Sequence, residues 1–263
     1  MNKTISLALV TLVLLAPLVN CKQKPVEIAP EIASSDEALF KAGQEFAKKD
    51  PEKARLYFRQ VIDSFPKSFY AQRAKLAIAD SYFEKGDEGS MILAASEYRE
   101  FIQLYPYSPS ASYAQFQIAM TFFKKALKPE RDQTKTIQAL AEFKKVIASF
   151  PLSEEAKQAQ QRITECEERL ARHMVTIGKH YYRIKAYRAS ISRLSEILTS
   201  YPSYTRMDEV YFYLADSYYR AGKTEESVPY FTKLVTDYPR SKYAKQAREP
   251  LDKINRSSPQ EKK

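Results

Sequence analysis

The chain has 263 residues, with a formal net charge of +10, 5 glycines, no tryptophan and 2 cysteines. With so few cysteines, the sequence implies no disulfide framework. The positive charge favours anionic lipid headgroups or an acidic protein face as partners. The scarcity of glycine favours helix, because glycine costs roughly 1 kcal/mol relative to alanine inside a helix.

The first twenty residues are predicted to be a lipoprotein signal peptide. Lys3 gives a basic start, and residues 5–19 are mostly apolar but short for a membrane span. The stretch ends in "LVNC", which resembles a bacterial lipobox, in which Cys21 is acylated and becomes the mature N-terminus. Asn20 departs from the small residue usual there, so an ordinary signal peptide followed by a chance cysteine stays an alternative. Lys22 favours the outer membrane.

Segments without helical periodicity flank the predicted folded part. Residues 21–35 carry two prolines and are predicted to be a lipidated, extended tether. Residues 256–263, "RSSPQEKK", are predicted to be a disordered tail. A secreted lipoprotein rarely meets nucleic acid, so no nucleic-acid partner is expected despite the basic charge.

An aromatic residue followed by proline recurs five times along the chain, in "SFPKS", "LYPYS", "SFPLS", "SYPSY" and "DYPRS". Each copy follows apolar residues at helical spacing, and the proline cannot continue a helix. Between the prolines, a small residue precedes an aromatic residue by three positions, so that a neighbouring helix can approach closely. The pairs are Gly43 and Phe46, Ala79 and Tyr82, Ala119 and Phe122, Gly178 and Tyr181, and Ala215 and Tyr218.

This alternation resembles the tetratricopeptide repeat, a helical hairpin of about 34 residues. The predicted fold is all-α, a superhelical array of about five hairpins, with an unrelated helical bundle as the alternative. Residues 36–152 are predicted to form an N-terminal module of three repeats, and residues 153–255 a C-terminal module of two. Because no glycine or proline lies between Pro151 and Gly178, residues 152–187 are predicted to be one long helix joining the modules.

Motifs for catalysis or metal binding are not found in the sequence. Cys166, His173 and His180 share one face of the long helix, but seven residues rise about 10.5 Å, so neighbours in this trio cannot share one metal ion. No glycine-rich phosphate loop or nucleophile elbow occurs. The sequence therefore predicts no enzyme, no cofactor and no metal.

A superhelix of hairpins presents a concave groove lined by the first helix of each hairpin. Repeat positions that usually face inward carry a mixture of aromatic, apolar and charged side chains, which suits an extended peptide. The alternative is that these side chains only solubilise an inner surface. The predicted groove residues are Arg73, Leu76, Asp80, Phe83, Phe116 and Phe123.

The chain as a whole resembles the BamD (ComL) family of outer-membrane assembly lipoproteins. The most specific part is residues 131–202, which include "RDQTKTIQALAEFKKVIASFPLS" and "QRITECEERLARHMVTIGKHYYRIKAYRASISRLSEILTSYP". The resemblance implies a lipid-anchored scaffold at the periplasmic face of the outer membrane, in the complex that inserts β-barrel proteins.

The resemblance also implies partners. The C-terminal repeats would dock a POTRA domain of the barrel protein BamA, with Arg193 as the docking arginine and with Arg169 and Arg162 as further partner-binding residues. The N-terminal repeats would recognise unfolded outer-membrane β-barrel substrates, and other lipoproteins of the complex are expected partners. A different envelope scaffold with similar repeats, such as a coordinator of the Tol–Pal system, is the alternative.

Overall fold

A computed structural model describes residues 28–257 of the chain, and this part contains helices and no strand. The predicted signal peptide, Cys21 and the last six residues lie outside the described residues. The helices are α1 (Pro30–Ala33), α2 (Asp36–Phe46), α3 (Pro51–Ser64), α4 (Phe69–Lys85), α5 (Glu88–Leu104), α6 (Ala111–Phe123), α7 (Thr134–Ser149), α8 (Glu154–Arg183), α9 (Tyr187–Ser200), α10 (Met207–Arg220), α11 (Thr224–Asp237) and α12 (Lys242–Ser257).

These helices pack as successive hairpins. The pairs are α2 with α3, α4 with α5, α6 with α7, the second half of α8 with α9, and α10 with α11, while α12 closes the array against α10 and α11. First helices also touch one another, at α2–α4, α6–α8, α8–α10 and α10–α12. The predicted all-α array of five hairpins is therefore confirmed.

The five aromatic–proline phrases all form turns between a second helix and the next first helix. The aromatic residue is the C-cap each time, with φ between −137° and −126° and ψ between 49° and 59°. Its N–H donates to the carbonyl four residues earlier, which completes the helix. Because the proline ring disfavours helical backbone at the residue before it, the chain leaves the helix at this point. These C-caps are Phe65, Tyr105, Phe150, Tyr201 and Tyr238.

The small residues of the repeats lie where helices touch. At Gly178 of α8, an added Cβ would lie 2.6 Å from Cδ2 of Leu194 on α9, and at Gly43 it would lie 2.5 Å from the Phe58 ring. Real Cβ atoms do not approach other heavy atoms so closely, so glycine is what allows these two helix pairs to pack at this distance.

Helix α8 is one continuous helix of 30 residues and joins the two halves of the array. Ser153 caps it, accepting a hydrogen bond from the Ala156 N–H at 3.1 Å. The predicted long helix is confirmed, but its predicted end at Tyr187 is wrong. The helix ends at Arg183 because Lys185 has a φ of 61°, which reverses the chain before α9.

Two ends of the fold differ from the sequence predictions. The predicted extended tether over residues 21–35 contains the short helix α1, which Pro30 begins. Ile28 and Ile32 pack against the first apolar cluster, around Leu39, so these tether residues are attached to the domain. Helix α12 continues to Ser257, past the predicted start of the tail.

Candidate partner-binding surfaces

Arg73 lies at the N-terminal end of α4 and is surrounded by aromatic rings. Its guanidinium carbon lies 4.8 Å from the ring centroid of Phe40, 5.6 Å from that of Phe69 and 5.8 Å from that of Tyr70. Phe69 is 70% exposed, so part of this cluster faces solvent. Within residues 28–256, no carboxylate lies within ion-pair distance of Arg73, and stacking orients its guanidinium for a carboxylate or a carbonyl group. We call Arg73 and these three aromatic residues the Arg73 cluster.

Asp80 lies about two turns further along α4 and is hydrogen-bonded within the protein itself. The Tyr98 hydroxyl donates to its carboxylate at 2.5 Å, and the Tyr113 hydroxyl donates at 2.8 Å. Burial raises the pKa of Asp80 above its usual value, although the two tyrosine hydroxyls lower it in part. Asp80 therefore ties α4 to α5 and α6, and its role as a ligand for a peptide is not supported by these contacts.

Leu76 and Phe83 are half-buried on the same helix. Leu76 packs against the cluster around Tyr98, and the Lys124 ammonium lies 3.9 Å from the ring centroid of Phe83. Part of each side chain remains accessible. These two positions fit an apolar contribution to a groove, flanked by a cation at Lys124.

The prediction that Phe116 lines the groove is wrong. Phe116 is 8% exposed, and its ring lies 5.5 Å from that of Phe143 on the second helix of the same hairpin. The side chain points into the core that α6, α7 and α8 share, because that core gains the apolar area of two aromatic rings.

Phe123, a predicted groove residue, contacts two of the predicted partner-binding arginines, although the two groups were expected to be separate. Its ring lies 5.8 Å from that of Phe143, while the guanidinium carbons of Arg162 and Arg169 lie 5.2 Å and 5.5 Å from its centroid. Arg162 is also held by Glu165 at 2.9 Å. A predicted groove residue and two predicted partner-binding arginines thus form one cation–π cluster on α6 and α8.

The connection between α6 and α7, residues 124–133, contacts helix α8, and we call it the strap. The Arg169 guanidinium donates to the Leu127 carbonyl at 3.4 Å, and Nδ1 of His173 lies 2.6 Å from the carbonyl oxygen of Pro129. An open cavity of about 400 Å³ lies between this strap and the Glu168 side of α8. Sequence reasoning missed the strap, although its signal was visible as a ten-residue connection where other hairpins use two to four residues.

Arg193 lies on α9 and is accessible. Its side chain is 52% exposed, and its Nη1 atom lies 3.8 Å from a carboxylate oxygen of Glu196, which is a weak pairing. No contact in the described part of the chain joins Arg193 to Arg162 or Arg169. Arg193 is therefore a separate cationic feature.

The cysteine and histidines of α8 do not form a site. Cys166 is fully buried, and burial raises the pKa of its thiol to about 12, so the thiol is unreactive. His173 contacts the strap and His180 is exposed. Over residues 28–256, no group of acidic, histidine or cysteine side chains could hold a metal ion. Over the same part of the chain, no helix is both long and apolar enough to cross a bilayer.

Comparison with known proteins shows the family to which the chain belongs. The YfiO family model, described as an outer membrane lipoprotein, matches residues 32–228. The chain belongs to this family. Similar proteins named outer membrane protein assembly factor BamD include one from Caulobacter vibrioides. It is 30% identical to this chain over 171 residues, which cover 65% of this chain and 55% of the relative. The match thus spans about half the length of the Caulobacter protein.

Two further relatives with the same name match more of their own length. The Rickettsia prowazekii protein is 27% identical over 203 residues, covering 74% of this chain and 77% of the relative. The Neisseria meningitidis serogroup A protein is 25% identical over 229 residues, covering 83% and 85%. The predicted resemblance to the BamD family is confirmed.

Solved structures with similar folds include the complex of the TPR2AB domain of yeast Sti1 with pHSP90. It covers 84% of this chain and 90% of that chain, at 14% identity and a TM-score of 0.43. A thermophilic tetratricopeptide-repeat protein of Thermus thermophilus covers 82% and 99%, at 15% identity and a TM-score of 0.34. Both scores are below 0.5, and the fold described above rests on the helix packing of this chain.

Proposed function

We propose that this protein is a non-enzymatic scaffold in the assembly of outer-membrane β-barrel proteins. The observation that carries the proposal is the family match over residues 32–228, together with relatives named as assembly factors. An array of helical hairpins with accessible cation–aromatic clusters supports the same role, because such arrays offer extended surfaces to several partners.

The C-terminal module, residues 153–255, is proposed to bind a POTRA domain of BamA through Arg193. A half-exposed guanidinium with only a weak intramolecular pairing can form a bidentate contact with a carboxylate of the partner. Arg162 and Arg169 are proposed to supply a second contact, apart from that of Arg193, and both are ordered by stacking on Phe123. Other lipoproteins of the complex are proposed partners without an assigned surface.

The N-terminal module, residues 36–152, is proposed to bind unfolded β-barrel substrates. The Arg73 cluster presents a cation beside the exposed ring of Phe69, and Leu76 and Phe83 add apolar surface along α4. An extended chain with alternating apolar side chains and free backbone carbonyls is complementary to that combination.

Attachment to the periplasmic face of the outer membrane is proposed to come from acylation of Cys21. The family description as an outer membrane lipoprotein supports this, as does the lipobox-like "LVNC". One acyl chain alone holds a protein only marginally, so stable anchoring requires further chains or protein contacts.

The decisive experiment is co-purification of BamA with the lipidated chain and with an Arg193→Glu variant. We expect BamA recovery to fall about tenfold, because the substitution replaces attraction of a partner carboxylate with repulsion. Arg188→Glu is the matched control, since Arg188 is another exposed arginine on α9, and it should leave recovery unchanged. Unchanged BamA recovery with Arg193→Glu would contradict the docking role, and recovery of Tol components alone would contradict the proposed function.

A further inference from the structure

A small cavity opens where α5, the end of α6 and the start of α7 meet. Its volume is about 110 Å³, and of its lining residues only Lys125, at the start of the strap, belongs to a surface described above. Since a cavity of roughly 150 Å³ holds one benzene molecule, this one has room for a single aliphatic side chain.

The floor of the cavity is apolar. Met91 and Ala95 are four residues apart on α5, so they lie on the same face, and both are at most 5% exposed. Phe122 of α6 is half-buried and forms the facing wall. Ile92 lies at the rim with 62% of its surface exposed. An apolar side chain entering here would remove apolar surface from water on both partners.

The rim carries more positive than negative charge. Arg99, Lys125 and Lys135 line the cavity against one carboxylate, that of Glu88, which lies 3.1 Å from the Lys135 ammonium. Arg99 is 3.9 Å from Glu142, whereas Lys125 forms no ion pair with any residue between positions 28 and 256. The rim therefore favours negative charge beside whatever enters the apolar floor.

We propose that this cavity docks an acidic segment of a partner protein, which inserts one aliphatic side chain between flanking carboxylates. Charge complementarity identifies the partner chemistry, since a basic segment would meet Arg99, Lys125 and Lys135 at close range. The apolar floor sets the register, because it accepts one side chain and leaves its acidic neighbours at the cationic rim.

The test is a titration of the purified full-length chain with a capped heptapeptide, in which a central leucine is flanked by two glutamates on each side. Methyl NMR signals of Met91 and Ile92 report on the floor and the rim. We expect both signals to shift and saturate. Replacing the glutamates of the peptide with lysine should abolish the shifts, and replacing its leucine with alanine should weaken binding about fivefold.

Matched variants separate the site from general charge and fold effects. Lys125→Glu and Ile92→Glu should each weaken the peptide about fivefold. Lys49→Glu makes the same charge change at an exposed turn residue, and Leu93→Glu makes the same apolar-to-acidic change at the neighbouring residue outside the cavity. Both controls should bind within about twofold of the unmodified chain. Circular dichroism of each variant checks the fold. If Ile92→Glu does not fold, the affinity of Lys125→Glu alone decides the test.

Three results would overturn the proposal. The first is absence of shifts at Met91 and Ile92 with the acidic peptide. The second is equal affinity for the acidic and the lysine-substituted peptides. The third is a response of the same methyl groups to phosphatidylglycerol vesicles and not to the peptide, which would assign the cavity to lipid.

Discussion

The second and fifth hairpins contain nearly the same phrase, "ADSYF" at residues 79–83 and "ADSYY" at residues 215–219, yet their aspartates have different surroundings. Asp80 accepts hydrogen bonds from two tyrosine hydroxyls, and no cation within residues 28–256 forms an ion pair with it. Asp216 accepts from the Tyr182 hydroxyl and pairs with Arg220 at 2.6 Å.

The residue four positions after each aspartate accounts for much of this difference. It is Glu84 in the second hairpin and Arg220 in the fifth. Side chains four apart share one face of a helix, so Glu84 adds to the raised pKa of Asp80, whereas Asp216 raises the pKa of Arg220. Identical repeat residues thus acquire different electrostatics from the non-identical residues around them.

Removal of a tyrosine hydroxyl should give the largest contrast between the two hairpins. Tyr98→Phe leaves the partly buried Asp80 with one donor, and we expect the free energy of unfolding to fall by about 2 kcal/mol. Tyr182→Phe is the counterpart in the fifth hairpin and should cost about 1 kcal/mol, because Asp216 keeps Arg220. Urea denaturation followed by circular dichroism measures both. Equal losses would show that Arg220 does not compensate.

Reversal of charge at Arg220 should make the fifth hairpin resemble the second. Arg220→Glu removes an ion pair with a buried carboxylate and adds repulsion, so we expect a loss of about 1–2 kcal/mol, limited by the half-exposed position of Arg220. The reciprocal Glu84→Arg variant gives Asp80 a cation and should stabilise the chain by about 0.5 kcal/mol at pH 7. The comparison would be wrong if the two substitutions changed stability in the same direction.

The smallest expected effect is a change in the free energy of unfolding with pH, caused by Asp80. Because the pKa of Asp80 is raised in the folded protein, folding binds a proton between the unfolded and folded pKa values. Its contribution is present below the unfolded pKa, about 3.9, and is lost as pH rises through the folded pKa. Asp80→Asn should therefore gain stability relative to the unmodified chain as pH increases from 4 to 7. A difference independent of pH over that range would contradict this.

The sequence predicted most of the array because its signals are local. Aromatic–proline turns and small residues at helix contacts depend on neighbours within a few positions, and so does the absence of breakers in α8. The early end of α8 was missed because nothing in the sequence indicates that Lys185 adopts a positive φ.

The candidate surfaces were less predictable because they depend on contacts between distant residues. The rotation of α6 that buries Phe116 follows from packing against Phe143, 27 positions away, and repeat position alone does not specify it. Stacking of Arg162 and Arg169 on Phe123 likewise needs the α6–α8 approach. The strap over residues 124–133 was visible only as extra length, with no indication of where it would lie.

Helix α8 supplies apolar residues to both halves of the array. Ile163 and Cys166 belong to the cluster shared with α6 and α7, whereas Ala171 and Val175 belong to the cluster shared with α9 and α10. Most two-domain chains have an exposed, flexible linker at such a boundary, where a protease can cut and leave each domain intact. Here a cut within α8 would remove part of each core, so we expect neither half to fold alone without a substitute for its part of that helix.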